Sequence, residues 1–131
     1  WFTGEAQRRG MSLEEDRNGN LWAWWLPPGY VDDPRDAFVT GSHLDSVPDG
    51  GPFDGPLGIV SAFSAIDLLR TDGVAPRVPV GVVAFSDEEG ARFGVACVGS
   101  QLSTGALHPE RALNLRSRDA GQLRHAQARA V

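Results

Sequence analysis

Cysteine is nearly absent from the 131-residue sequence, in which Cys97 stands alone. One cysteine excludes an internal disulfide; it is most simply a small buried residue, and the usage fits a cytoplasmic protein. No apolar run approaches the ~20 residues that span a bilayer, so a membrane partner is not expected. Lys and Arg total 12 against 17 Asp and Glu, without a basic block, so nucleic acid is not an expected partner either.

Internal repeats and low-complexity segments are also lacking. Apolar residues make up 41% and charged residues 22% of the chain, the balance of a globular protein with one domain or part of one. The chain opens on Trp1, and the residues up to Gly10 are typical of the last turns of an amphipathic helix. We therefore expect a piece of a longer protein.

The pattern along the chain predicts alternating strands and helices. Asn18-Gly19 is a strong hairpin signal between strands over Ser12–Arg17 and Asn20–Leu26. A strand, a helix with one apolar stripe and a buried strand follow, and then two short helices; their predicted ranges are Ala37–Gly41, Leu57–Arg70, Val78–Phe85, Ala96–Leu102 and Pro109–Leu113.

The strand–helix–strand order predicts a βαβ unit with two parallel strands. Parallel strands end on the same edge of a sheet, where functional groups gather. His43 follows the first strand, Glu88 and Glu89 follow the second, and Asp54 precedes the crossover helix. We expect these four side chains to meet at one edge.

The loop between the first strand and the helix, GSHLDSVPDGGPFDGPLG, combines one His and three Asp with five Gly and three Pro. Imidazole and carboxylates suit zinc, cobalt, nickel or manganese, and one carboxylate can bridge two ions. A metal-binding His usually donates its second N–H to a neighbour, and Asp45 is placed to accept it from His43. Of the adjacent Glu88 and Glu89, one can bind metal and the other can act as general base.

Taken singly, these residues have plainer interpretations. A His after a strand is more often a surface residue, an acidic triplet is more often a solvated turn, and Asp54-Gly55 alone is a turn. Their convergence in a Gly/Pro-rich frame favours a metal site.

The same segments resemble a family. GSHLDSVPDGGPFDGPLG and FSDEEGARF (Phe85–Phe93) are similar to two hallmark segments of the dinuclear metal amidohydrolase and aminoacylase/carboxypeptidase superfamily, in its branch of N-carbamoyl-L-amino-acid hydrolases, ureidopropionases and allantoate amidohydrolases. NGNLWA (Asn18–Ala23) adds to the resemblance, which covers about residues 1–119. It implies a zinc-exopeptidase-like α/β fold: a mostly parallel mixed sheet with helices on both faces and an N-terminal hairpin.

The resemblance also implies roles. His43 and Glu89 would each bind one of two divalent metal ions, Asp54 would bridge them, Glu88 would be general base and then acid, and Asp45 would orient His43. A cis peptide is implied at Asp54-Gly55. The activity would be hydrolysis of a ureido or amide C–N bond in a small-molecule substrate.

The chain departs from the family in length. Residues 1–131 would be the N-terminal portion of a catalytic domain with three of five expected metal ligands, without the lid/dimerisation domain that would make a homodimer. His108 and His125 are not in matching contexts, and we expect both on the surface. Alone, the chain is expected to be inactive. The alternatives are an aminoacylase or dipeptidase of the same superfamily, and a truncated, non-catalytic remnant.

Overall fold

The computed structural model describes residues 1–31, 36–117 and 121–122. In chain order, the helices and strands are α1 (Phe2–Arg8), β1 (Ser12–Glu15), β2 (Leu21–Trp25), β3 (Phe38–His43), α2 (Pro56–Thr71), β4 (Val80–Phe85), α3 (Val98–Ser103), α4 (Pro109–Leu113), β5 (Arg116–Ser117) and β6 (Gly121–Gln122). Four strands form one sheet in the order β1-β2-β4-β3, and β5 pairs with β6. Among the residues described, no helix is long and apolar enough to cross a bilayer.

The hairpin forms where Asn18-Gly19 predicts it. Gly19 adopts a φ of 78°, a conformation that glycine reaches without steric cost. The main chain closes the turn through hydrogen bonds from the Gly19 amide to the Asp16 carbonyl and from the Asp16 amide to the Asn20 carbonyl. β2 then pairs antiparallel with both β1 and β4, which attaches the hairpin to the rest of the sheet.

The βαβ unit places β3 beside β4. The two strands are parallel, and His43 at the end of β3 lies opposite Phe85 at the end of β4. Gly41 is needed within β3 because a Cβ there would lie 2.0 Å from the carbonyl oxygen of Val83. The close pairing of these strands brings the segments that follow them to one edge of the sheet.

The main core lies between one face of the sheet and helices α1 and α2. Phe63 of α2 is 1% exposed and packs against the ring of Phe2 in α1, with ring centroids 5.3 Å apart. The buried members of this core are Phe2, Ala6, Met11, Ala23, Ile59, Ala62, Phe63, Ile66, Val82 and Ala84. Burial of each large side chain contributes about 1.5–3 kcal/mol, which fixes α2 against the strands that carry the site.

The predicted α/β class with an N-terminal hairpin is confirmed, and one detail differs. We expected a mostly parallel sheet, but in the described residues two of the three strand pairings of the four-stranded sheet are antiparallel, because the hairpin supplies two of the strands. Helices α1 and α2 share the main core, and α3 and α4 bury Val98, Leu107 and Ala112 in a separate cluster. On the face opposite the main core, Trp22 and Trp24 stack at 5.3 Å.

Candidate metal centre

The predicted site residues meet at the carboxyl edge of the parallel strands. His43 is the last residue of β3, which ends two positions later than the predicted strand, and its side chain is buried. Glu88 and Glu89 follow β4, and Asp54 comes just before α2. One potential ligand atom from each of His43, Asp54 and Glu89 lies within 4.8 Å of the other two.

Two buried carboxylate oxygens near this centre have no hydrogen-bond partner among the described residues. They are Oε1 of Glu89 and Oδ1 of Asp45. An ionised carboxylate oxygen removed from water without a partner is costly, and a bound cation supplies that partner. The His43–Asp54–Glu89 donors, one imidazole and two carboxylates, are of the kind that holds zinc and related divalent ions. The residues present therefore fit a divalent metal.

The tautomer of His43 is set by the main chain. Its Nδ1 lies 2.9 Å from the carbonyl oxygen of Asp45, which can only accept, so Nδ1 carries the proton. In the neutral imidazole Nε2 is then the acceptor, and it faces the carboxylates, 3.9 Å from Oδ1 of Asp54 and 3.4 Å from Oε2 of Glu88. This is the arrangement in which an imidazole binds a metal through Nε2.

The carboxylate of Asp45 has a different set of partners from the one predicted. Its Oδ1 is 3.7 Å from Nδ1 of His43, beyond hydrogen-bond distance. Its Oδ2 instead accepts hydrogen bonds from the main-chain amides of Glu88, at 2.9 Å, and Glu89, at 3.2 Å. Asp45 thus contacts His43 through its carbonyl and ties the loop after β3 to the loop after β4.

Glu88 lies beside the three potential ligands, with its two oxygens in different surroundings. Oε2 faces His43, and Oε1 accepts a hydrogen bond from the Cys97 thiol at 3.2 Å. That hydrogen bond, together with burial, raises the pKa of Cys97, so the thiol stays protonated and acts as a donor. Glu88 is thereby held with one oxygen directed at the centre.

The turn into α2 needs glycine at position 55. Gly55 has φ 79° and ψ −66°, and a Cβ there would lie 2.5 Å from Cε1 of His43. The described part of the chain contains no cis peptide bond, so the cis bond predicted at Asp54-Gly55 is wrong. The positive φ of Gly55 lets the chain turn into the helix with a trans peptide.

A cleft of about 250 Å³ opens beside the centre. Its lining residues are Asp45, Ser46, Asp87, Gly90, Ala91, Arg92 and Phe93. Burial raises the pKa of Asp87; Arg92 opposes this rise and the charge of Asp45 adds to it. Asp45, which also contacts Glu88 and Glu89, thus joins the surroundings of the centre to a cleft lined by charged groups of both signs.

The other histidine in the described residues, His108, is not among the potential ligands of this centre. The His108 side chain is 74% exposed and 4.0 Å from a carboxylate oxygen of Glu110, in keeping with the predicted surface position. His125 lies outside the described residues.

Comparison with known proteins shows what the chain is similar to. No protein-family model matches the chain. The N-carbamoyl-L-amino acid amidohydrolase of Geobacillus stearothermophilus is 42% identical over 119 residues, which are 91% of this chain and 28% of that protein. Allantoate deiminase 1 of Glycine max is 49% identical over 103 residues, 75% of this chain and 20% of that protein. A hydantoinase/carbamoylase family amidase from Burkholderia ambifaria matches with a TM-score of 0.83 at 34% identity, over 97% of this chain and 30% of the other.

Over most of its length, the chain is similar to part of the N-carbamoyl-L-amino acid amidohydrolase and of the hydantoinase/carbamoylase family amidase. The resemblance inferred from the two motifs is confirmed. The chain spans less than a third of the length of these family members. In this chain, the parallel pairing of β3 and β4 places the segments that follow them at one edge.

Sequence reasoning missed two contacts that hold the segment after β4, which carries Glu88 and Glu89, in place. The Cys97–Glu88 hydrogen bond was not predicted, because Cys97 was interpreted as a small buried residue. The buried side chain of Asn20 was also missed as a contact of the segment after β4. Its one signal was its position beside Asn18-Gly19, where it was assigned to the hairpin.

Proposed function

We propose that the protein containing this chain is a metal-dependent hydrolase that cleaves the C–N bond of a linear ureido or carbamoyl amide. The observation that carries the proposal is the convergence of His43, Asp54 and Glu89 within 4.8 Å, beside Glu88. The names of two relatives refer to an N-carbamoyl-L-amino acid and to allantoate, which share a ureido group. That shared group defines the substrate class.

Two divalent ions, of zinc, manganese, cobalt or nickel, are the proposed cofactor. His43 would hold one ion through Nε2, Glu89 would hold the other, and Asp54 would bridge them. Two observations support these roles: Oε1 of Glu89 has no hydrogen-bond partner among the described residues, and Nε2 of His43 faces the carboxylates of Asp54 and Glu88. When bound, such ions polarise a substrate carbonyl and lower the pKa of water.

Glu88 is the proposed proton carrier. Its Oε2 faces the centre while Cys97 holds Oε1, so one oxygen is free to exchange a proton. Glu88 takes a proton from the attacking water and delivers it to the leaving nitrogen, as a general base and then a general acid. Asp45 keeps this geometry by accepting hydrogen bonds from the Glu88 and Glu89 amides.

The proposed reaction balances as a simple hydrolysis. The water oxygen forms a bond to the ureido carbon, the bond from that carbon to one nitrogen breaks, and the departing nitrogen gains the proton. For an N-carbamoyl amino acid, the products after loss of the second nitrogen are the amino acid, carbon dioxide and ammonia. No oxidant or reductant is required.

A substrate panel tests the proposal. The complete protein that contains this chain is freed of metal, reloaded with Zn²⁺ or Mn²⁺, and assayed on N-carbamoyl-L-amino acids, allantoate, N-acetyl amino acids and dipeptides. We expect metal-dependent ammonia release from a ureido substrate, and no release of free amino acid from the N-acetyl amino acids or the dipeptides. Faster cleavage of acylated amino acids or dipeptides would favour an aminoacylase or dipeptidase. A complete protein that binds no metal would favour a non-catalytic remnant.

A further inference from the structure

Asn20 is a fully buried polar residue outside the metal centre. It follows the hairpin turn, and its side chain is 0% exposed. Its Nδ2 donates hydrogen bonds to Oδ2 of Asp16 at 2.8 Å and to Oγ of Ser103 at 2.9 Å. Its Oδ1 accepts a hydrogen bond from the main-chain amide of Ser86 at 2.9 Å. One side chain thus links the hairpin, α3 and the residue that follows β4.

Ser86 begins the segment that carries Glu88 and Glu89. The carbonyls of Ser86 and Glu88 accept hydrogen bonds from the amides of Gly99, at 3.0 Å, and Cys97, at 2.6 Å, at the start of α3. Asp45 accepts from the amides of Glu88 and Glu89. Within the described residues, Asn20 is the side chain that holds the amide at the start of this segment.

Asn20, Gly99 and Ser86 are closely packed against one another. A Cβ at position 99 would lie 2.2 Å from Oδ1 of Asn20 and 2.7 Å from the carbonyl oxygen of Ser86. Gly99 therefore allows α3, Asn20 and Ser86 to meet directly. This contact fixes the start of the segment. Glu88 and Glu89 follow Ser86 by two and three residues, so we expect a shift of Ser86 to move both glutamates.

We propose that Asn20 is a positioning residue for Glu88 and Glu89. It touches neither side chain and acts through the main chain of Ser86. This inference rests on the proposed function, in which Glu89 binds metal and Glu88 transfers the proton. On this proposal, the hairpin helps to set the geometry of the metal ligands although it carries none of them.

The test compares Asn20→Ala with Ser103→Ala in the complete protein. Both variants lose hydrogen bonds to α3, but Ser103→Ala keeps the Asn20–Ser86 contact. Both are titrated with Mn²⁺ under conditions where circular dichroism shows them folded, and kcat and KM are measured on the best ureido substrate. For Asn20→Ala we expect about 10-fold weaker Mn²⁺ binding or more, and a lower kcat with little change in KM. For Ser103→Ala we expect Mn²⁺ affinity and kcat close to those of the parent.

A second variant covers the case in which Asn20→Ala does not fold. Asp16→Asn with Asn20→Asp exchanges amide and carboxylate, and it retains an acceptor for the Ser86 amide and one hydrogen bond between positions 16 and 20. If Asn20→Ala folds, we expect the exchange variant to bind Mn²⁺ more tightly than Asn20→Ala does. If Asn20→Ala does not fold, we expect the Mn²⁺ affinity of the exchange variant to be within about 10-fold of the parent's. A folded Asn20→Ala protein with parental Mn²⁺ affinity would overturn the inference. So would a folded exchange variant that has lost Mn²⁺ binding.

Failure of the proposed function would be recognisable separately. A parent protein that binds Mn²⁺ but cleaves no ureido substrate would contradict the proposed substrate class, and the Mn²⁺ affinities of the variants could still be compared. A parent protein that binds no Mn²⁺ would contradict the proposed metal centre. Amide hydrogen exchange at Glu88 and Glu89 then remains as the readout. Faster exchange in the folded variant that lacks the Ser86 contact supports the inference, and unchanged exchange contradicts it.

Discussion

Replacement of Gly55 by alanine tests how the loop after β3 shapes the metal centre. The new methyl group would lie 2.5 Å from Cε1, 2.6 Å from Nδ1 and 2.8 Å from Nε2 of His43. Because these are ring atoms of a buried side chain, the imidazole has to move or the turn has to open. The substitution also places a side chain at φ 79°, where non-glycine residues are strained.

The two costs of Gly55→Ala can be separated. Backbone strain contributes about 1–3 kcal/mol, and overpacking against His43 about 1–3 kcal/mol more. Gly51 provides a matched control, because its φ is 80° and a Cβ there would meet no atom within 4 Å. Gly51→Ala should therefore carry only the strain. If the overpacking is relieved by moving His43, Gly55→Ala should bind Mn²⁺ roughly 5- to 150-fold more weakly than Gly51→Ala.

The assay is a pair of measurements on the complete protein. Denaturant unfolding without metal gives the stability loss of each variant, and calorimetric titration with Mn²⁺ gives the affinity. We expect Gly55→Ala to exceed Gly51→Ala in both losses. Equal Mn²⁺ affinity in the two variants would refute the placement of Gly55 against a metal-binding His43.

Three further changes have defined expectations. Glu88→Gln should lower kcat at least ~100-fold, the lower end for general acid–base catalysis, and leave the amount of bound metal, measured by mass spectrometry, unchanged. The control is Glu110→Gln, because the Glu110 side chain is 87% exposed. Equal kcat values in the two variants would contradict the assignment of Glu88 as the base. Phe63→Ala should lower the unfolding free energy by about 3–5 kcal/mol in denaturant titrations, because Phe63 is 1% exposed in the main core; a loss below ~1 kcal/mol would contradict that packing. Hydrogen bonds from Arg8 and Arg9 lower the pKa of Glu5, so this carboxylate stabilises the fold above its ordinary pKa of 4.5 and the contribution is lost as the pH falls through the lowered value. The stability gap between the parent and Glu5→Gln should therefore close on acidification, and a gap that widens would contradict the sign.

The position of the candidate metal centre was predictable because its elements are local and strongly patterned. The apolar run of β4 and the helical stripe of α2 indicate a βαβ unit, and parallel pairing then places His43 and Glu89 at one edge. The hairpin was predictable for the same reason, since Asn18-Gly19 specifies a tight turn.

Contacts between distant segments were not predictable from spacing. The sequence places Asp45 two residues from His43, and nothing in that spacing shows that its carboxylate instead accepts from the Glu88 and Glu89 amides. Asn20 and Ser86 are 66 residues apart, so their hydrogen bond appears only once the sheet is assembled. The proportion of antiparallel pairing was misjudged because β2 pairs on both of its edges, a choice that tertiary packing makes.

The most direct measurement is an anomalous-scattering map from crystals of the complete protein grown with Zn²⁺. We predict a peak at about 2.0–2.2 Å from Nε2 of His43 and from a carboxylate oxygen of Asp54, with Glu89 ligating a bound ion at a similar distance. In Asp54→Ala crystals the signal should fall or vanish. Zinc bound elsewhere, with none at His43, would contradict the assignment of this centre and the hydrolase built on it.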